Sequence, residues 1–361
     1  MFHALEPTVD SIEHIAIVQD PLTKFAFRVV SKLRRIIKDP ANIEHSVVLS
    51  YLYGRSFRKA ILNSGCDVVF APVASVETAY LRSPVPLIYM SDATFRAIEN
   101  YYDFFLRMGR LSRWEGNHLE TKAIARANAL VYSNDWAARS AGEDYGVSPE
   151  KIQVIPFGAN MDAIPAREDL RTGSTDGKCR LLFVSRDWKR KGGPIAYETF
   201  LALRRRGVDA ELTVVGCSPA IPLAHPSLRV IPFLDKNLPE QKNVLADLYL
   251  DSDIFLLPTR AECSAIVFCE ASAYGLPTIS TDTGGTATII VEGVNGLLLP
   301  PEAGGEEYAE LIARLWSDPV AFKKMRQTSR ERYEAVLNWN AWATQVRGVM
   351  DRVLTDTQRK P

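Results

Sequence analysis

Glu262 and Glu270 stand eight residues apart in RAECSAIVFCEASAYGLP, a segment that follows the apolar run DIFLLP and leads into an apolar helical pattern. Both carboxylates therefore belong at the carboxyl end of a buried strand, Glu262 in the loop and Glu270 about two turns into the helix, which is where open parallel sheets bind ligands. The amides around Ala265, Ile266 and Val267 at that helix start can meet a phosphate, helped by the helix dipole. A second segment, LLFVSRDWKRKGG, ends a strand at Ser185 and then presents Arg186, Lys189, Arg190 and Lys191 before Gly192 and Gly193. Cations at a strand's carboxyl end can neutralise a departing diphosphate. Gly284 and Gly285 in STDTGGTATII would let backbone approach a ligand closely, although most such pairs are turns. The plainer alternatives are a helix-start preference for Glu262, a solvated surface charge at Glu270 and a solvated basic loop.

These segments need a sheet to position them. From Asp67 onward, short runs rich in Val, Ile and Leu recur between helix-like stretches: DVVFAP, PLIYMS, ALVYSN, IQVIPF, RLLFVS, ELTVVG, LRVIPF, DIFLLP and LPTIST. Continuous apolar strands alternating with helices predict parallel sheets covered on both faces, an α/β architecture. The polar, aperiodic stretch 158–178 reads as the connection between two domains, and a second sheet opens at Cys179. The expected division is 1–160, 161–338 and a terminal helix in 339–361, with a helix-like pattern from about Trp339 to Leu354. The amino end offers only the short HIAIV where a doubly wound domain opens with a strand and a tight turn, so the first domain is expected to lack its opening strand.

A chain of 361 residues, 47% hydrophobic and 24% charged, predicts a soluble globular protein of about two domains. Lys plus Arg equals Asp plus Glu at 43 each, so no global field favours nucleic acid. The five cysteines are odd in number and contain no CxxC pair, which suggests neither disulfides nor zinc. No apolar run approaches a membrane span and MFHALEPTVD lacks signal-peptide character, so the expected location is a reducing cytoplasm.

In order along the chain, Arg186 with Lys191 before Gly192, Glu262 with Glu270, AYGLP, DTGG and GVNGLLLP resemble the retaining glycosyltransferases of family 4. The likeness runs from about Cys179 to Trp342, and NALVYSNDWAARSA and VIPFGANMD resemble the end of that family's first domain. It implies the GT-B fold, two Rossmann-like domains facing a central cleft, with the acceptor mainly on the first and the nucleotide sugar mainly on the second. It also implies that the final helix crosses back to the first domain. By motif, Arg186 and Lys191 would hold the diphosphate, Glu270 the ribose hydroxyls and Glu262 the hydroxyls of the transferred sugar. Gly216, Gly284 and Gly285 would join Ala265, Ile266 and Val267 on the donor side. Asp92, after the strand PLIYMS, falls near where relatives carry a cleft residue; a helix cap is the alternative. Cys263, Ser264 and Ala265 replace the Gly-Phe-Gly of many members and narrow the space beside the donor.

The resemblance thus implies transfer from a nucleotide diphosphate sugar to a glycan, lipid-linked or small-molecule acceptor, with no cofactor. The rival is a non-catalytic nucleotide-sugar sensor or subunit of a glycosyltransferase complex. A dehydrogenase is disfavoured because no GxGxxG follows a strand. Asp251, Ser252 and Asp253 spell a DxD, but at a strand's amino end, and the five histidines are scattered, so no metal site is assigned. Residues 24–38, KFAFRVVSKLRRIIK, place Phe25, Val29, Leu33 and Ile36 on one helical face beside Lys24, Arg28, Lys32 and Arg35. Such a helix either rests peripherally on anionic lipid at the inner face of a membrane or, the weightier alternative, docks by its apolar face with the basic residues outward.

Overall fold

A computed structural model describes residues 1–16, 20–37, 39, 45–161, 164–171, 173, 176–217, 219 and 225–359. Two compact units emerge, one of residues 1–155 with 343–361 and the other of 156–342. These divisions stand at 155/156 and 342/343, against 160/161 and 338/339 read from the sequence. The helix Trp339–Gln358 gives its first four residues to the second unit and the rest to the first.

The second unit is a six-stranded parallel sheet of β5 (Cys179–Val184), β6 (Ala210–Val215), β7 (Leu228–Ile231), β8 (Ile254–Leu257), β9 (Thr278–Thr281) and β10 (Gly296–Leu299), in the order β10-β9-β8-β5-β6-β7. The chain winds outward from β5 to β7, then returns past β5 to wind the other way from β8. Its direction therefore switches between β5 and β8, and the loops leaving the carboxyl ends of those two strands flank the crevice where doubly wound sheets bind ligands. Burial explains the strand pattern: every residue of β8 and β9 is buried, as a sheet covered on both faces requires. Tyr249 stacks on Tyr274 and on Phe255, at ring separations of 5.2 and 6.0 Å. The described part of 158–178 lies in this unit, with Arg167 paired to Glu334 and Arg171 bonded to the Asp251 carbonyl.

The first unit holds a four-stranded parallel sheet, β1 (Val69–Pro72), β2 (Leu87–Ser91), β3 (Ala129–Tyr132) and β4 (Ile152–Val154), paired in chain order. In the segment HIAIV, His14 to Ala16 are not in a strand, and Ile17 and Val18 lie outside the described residues. The helix Pro21–Ile36 is anchored by a buried ion pair: Arg34, 2% exposed, meets Glu115 and donates to Ser112 Oγ (2.7 Å) and the His45 carbonyl (3.0 Å). Glu115 in turn accepts the Val47 amide at 2.9 Å. Arg34→Met should therefore leave a buried carboxylate without its cation and destabilise the first unit by about 3–5 kcal/mol. Urea unfolding followed by far-UV circular dichroism measures this; a loss below ~1 kcal/mol would show the pair to be dispensable.

Candidate functional site

The loop after β5 folds back on itself. Ser185 Oγ accepts the Asp187 amide (2.9 Å), and the Asp187 carboxylate accepts Arg190 N (3.0 Å) and Nε (3.2 Å). Gly192 has φ +74°, and a Cβ there would run into the Pro258 carbonyl, so the loop after β5 presses backbone against the loop after β8. This contact delivers Lys191 to Glu262: the ammonium donates to Glu262 Oε2, with side chains only 13% and 9% exposed. Arg190 seals the join by donating to the Ala261 carbonyl at 2.9 Å, its guanidinium 4.0 Å from the Glu262 carboxylate. Arg190 and Lys191 are thus engaged with the loop after β8, whereas Arg186 and Lys189 are exposed. Burial, with the Arg190 charge beside it, pushes the Lys191 ammonium down to about 7.

Glu262 also ties in the glycine pair, since its carbonyl accepts the Gly285 amide at 3.1 Å, and Gly284 adopts φ +54°. Ala265 caps the helix Ile266–Ala273, so the amides of Ile266 and Val267 open its first turn, before any intrahelical acceptor exists. Glu270 lies on the second turn of that helix, because the helix starts only at Ile266. It is 1% exposed rather than solvated, and its two oxygens accept from Lys236 Nζ and from Tyr249 Oη (3.0 Å). Arg186, exposed, lays its guanidinium 4.3 Å from the Phe233 ring centroid. Phe233 and Lys236 share the loop after β7, so that loop reaches both Arg186 and Glu270. Gly216, φ +92°, closes β6, and a Cβ there would stand 2.7 Å from the Ser185 carbonyl.

Four cations (Arg186, Arg190, Lys191, Lys236) and two carboxylates (Glu262, Glu270) therefore line the carboxyl edge of one sheet. Asp92 belongs to the first unit, where it follows β2. Burial raises its carboxyl above the usual range. The capping role weighed for it falls to Thr94, whose side chain accepts the Ala97 amide. Asp253 sits at the opposite, amino edge of β8, fully buried, accepting the Arg180 amide at 3.0 Å. Arg326 holds the neighbouring carbonyls of Ser252 and Asp253. Among the described residues no three His, Cys, Asp or Glu gather as a ligand set. Sequence reasoning did not single out Lys236, Phe233 or Tyr249. Lys236 follows a strand's carboxyl end, the same signal that marked Lys191, whereas Tyr249 lies in the last turn of the helix Pro239–Asp251 and carries no such signal.

Residues 178–318 match the family model described as Glycosyl transferases group 1. Among similar curated proteins, D-inositol 3-phosphate glycosyltransferase of Nocardiopsis dassonvillei is 27% identical over 237 residues, 61% of this chain and 55% of that one. The protein of the same name from Xylanimonas cellulosilytica is 25% identical over 301 residues, 78% of this chain and 69% of that one. The chain spans about half the length of the first relatives it matches, 55% and 50%. Among solved structures, sucrose-phosphate synthase from Thermosynechococcus elongatus superposes with a TM-score of 0.64 at 18% identity, covering 97% of this chain and 86% of that one. Anabaena HepE in complex with UDP and glucose superposes with 0.60 at 14%, covering 93% and 84%. Residues 178–318 of the second unit thus resemble the group 1 glycosyl transferases, and the chain, with its two parallel-sheet units, has the GT-B fold.

Proposed function

We propose that this protein transfers a sugar from a nucleotide diphosphate sugar to a glycan, lipid-linked or small-molecule acceptor, with retention of anomeric configuration and without a metal. The observation that carries this reading is the buried Lys191–Glu262 pair at the point where the sheet changes winding direction. A neutral ligand gains little from such a pair. A ligand with phosphate next to sugar hydroxyls can take both partners at once, the phosphate replacing Glu262 on Lys191 and the hydroxyls replacing Lys191 on Glu262. Glu270 would accept the ribose hydroxyls, displacing the half-exposed Lys236, while Arg186 and the amides of Ile266 and Val267 complete the diphosphate cradle. Cleavage of the sugar–phosphate bond leaves negative charge on the departing oxygen, and Lys191 and Arg186 stand ready for it, which is the work a metal would otherwise do.

A melting panel with UDP, GDP, ADP and their sugar conjugates tests the reading. Stabilisation by one nucleotide family supports it, and none by any contradicts it. Magnetic resonance of the product's anomeric proton tests retention, and undiminished turnover in EDTA tests metal independence.

The Lys191 environment adds a pH signature. An ammonium with a pKa of about 7 is mostly neutral at pH 8, and a bound diphosphate favours its charged form. Nucleotide binding at pH 8 should therefore take up as much as about one proton, and at pH 6 almost none, so affinity falls as pH rises above ~7. Calorimetric titration in two buffers of different ionisation enthalpy reads this directly. A buffer-independent heat at pH 8, or one unchanged in Lys191→Met, would remove Lys191 from the phosphate.

A further inference from the structure

The helix Pro21–Ile36 docks in the first unit by a face other than the one its composition favours. Amphipathic surface helices normally bury their apolar stripe. Here the inward face carries Thr23 and Arg34, 3% and 2% exposed, and Arg34 is fixed there by Glu115, Ser112 and the His45 carbonyl. Leu22, Phe25, Val29, Leu33 and Ile36, spaced by three and four residues and hence on one face, are 40 to 67% exposed. Lys24, Arg28, Lys32 and Arg35 run along the flank of that stripe, all exposed. No acid interrupts the helix; Asp20, its amino-terminal cap, is occupied by the Thr23 amide at 2.7 Å. Lys38, the last residue of the basic segment, lies outside the described residues.

An apolar stripe beside uncompensated cations asks for a partner that offers hydrocarbon and negative charge in adjoining layers. A second copy of the same stripe supplies hydrocarbon but brings more cations. We propose that this helix is the surface by which the protein lies on an anionic lipid bilayer, with Phe25, Leu33 and Ile36 among the acyl chains and the four cations at the phosphate level. No described helix is long and apolar enough to cross a membrane, so the contact is peripheral. An exposed aromatic, Trp114, 56% exposed, stands on the helix Arg110–Arg126 beside Glu115, the partner of Arg34. Asp39 ties that helix to the end of the basic one by accepting the Gly109 and Ser112 amides at 3.2 and 3.0 Å. An indole there suits the headgroup region.

Flotation of the whole chain with phosphatidylcholine vesicles, with and without about 30% phosphatidylglycerol, tests the proposal. The protein should float with the anionic vesicles at moderate salt and stay behind with the zwitterionic ones. The double variant Phe25→Ser, Leu33→Ser and the quadruple variant of Lys24, Arg28, Lys32 and Arg35 to Gln should each lose at least about tenfold in partitioning. All six side chains are exposed, so both variants should keep the wild-type melting temperature. Absence from anionic vesicles, or equal flotation of wild type and both variants, would overturn the proposal. So would a dimer in light scattering that the Phe25, Leu33 variant dissolves, which would assign the stripe to a second copy.

Discussion

Lys191→Ala should slow nucleotide-sugar cleavage by about a hundredfold or more while weakening nucleotide diphosphate binding by less than about tenfold. The asymmetry follows from the resting state. At pH 6, where Lys191 is charged and already bonded to Glu262, ground-state binding exchanges one anionic partner for another and gains little. The charge that develops on the departing phosphate has no such prior partner, and stabilising it requires an ammonium held in place. With a side chain 13% exposed, Lys191 has little freedom to be anywhere else. Release of nucleotide diphosphate from each nucleotide sugar, with and without added acceptors, gives the rate, and calorimetry gives the affinity. Equal loss in both would show Lys191 to be a binding residue alone. Lys191→Arg should not fully restore the rate, because a planar fork beside the Arg190 guanidinium places its charge differently from a point ammonium on Glu262.

Glu270→Ala should cut the melting shift produced by the nucleotide that stabilises the wild type to about half or less. A ligand at ~100 times its dissociation constant adds about 2.7 kcal/mol, and the loss of charge-assisted bonds to two ribose hydroxyls should weaken it by about ten- to a hundredfold. The unliganded variant should itself lose about 1–3 kcal/mol, because the fully buried Tyr249 hydroxyl loses its acceptor. Glu270→Gln separates the effects, since it keeps an acceptor for Tyr249 and returns most of the stability without the carboxylate. A nucleotide shift intact in Glu270→Ala would reassign the ribose elsewhere on the sheet.

Strand positions were legible because both faces of these sheets are covered, so that runs such as IFLL and LIYMS are buried throughout and almost wholly apolar. β10 was not read as a strand, although GVNGLLLP was noticed: it is a sheet edge, with only Gly296 fully buried, and Pro300 follows directly. The carboxylates and cations were legible from their places at strand ends. Their pairing was not, because it depends on Gly192 lying against Pro258, a contact between segments far apart in the chain. Burial of Glu270 was likewise hidden, since its partners come from the loop after β7 and from Tyr249 in the last turn of the helix Pro239–Asp251. The helix Pro21–Ile36 shows the sharpest departure. Its hydrophobic periodicity located the helix, but a single buried arginine with a partner on another helix decided which face turned inward.

The most direct test of the account is the crystal structure of the complex with the stabilising nucleotide diphosphate. The diphosphate should lie within hydrogen-bonding distance of Lys191 Nζ and the Ile266 and Val267 amides, the ribose on Glu270, and Glu262 should be released from Lys191 to face the sugar. A nucleotide bound at the amino edge of the sheet, near Asp251 and Asp253, or a Lys191–Glu262 pair unchanged beneath it, would contradict the account.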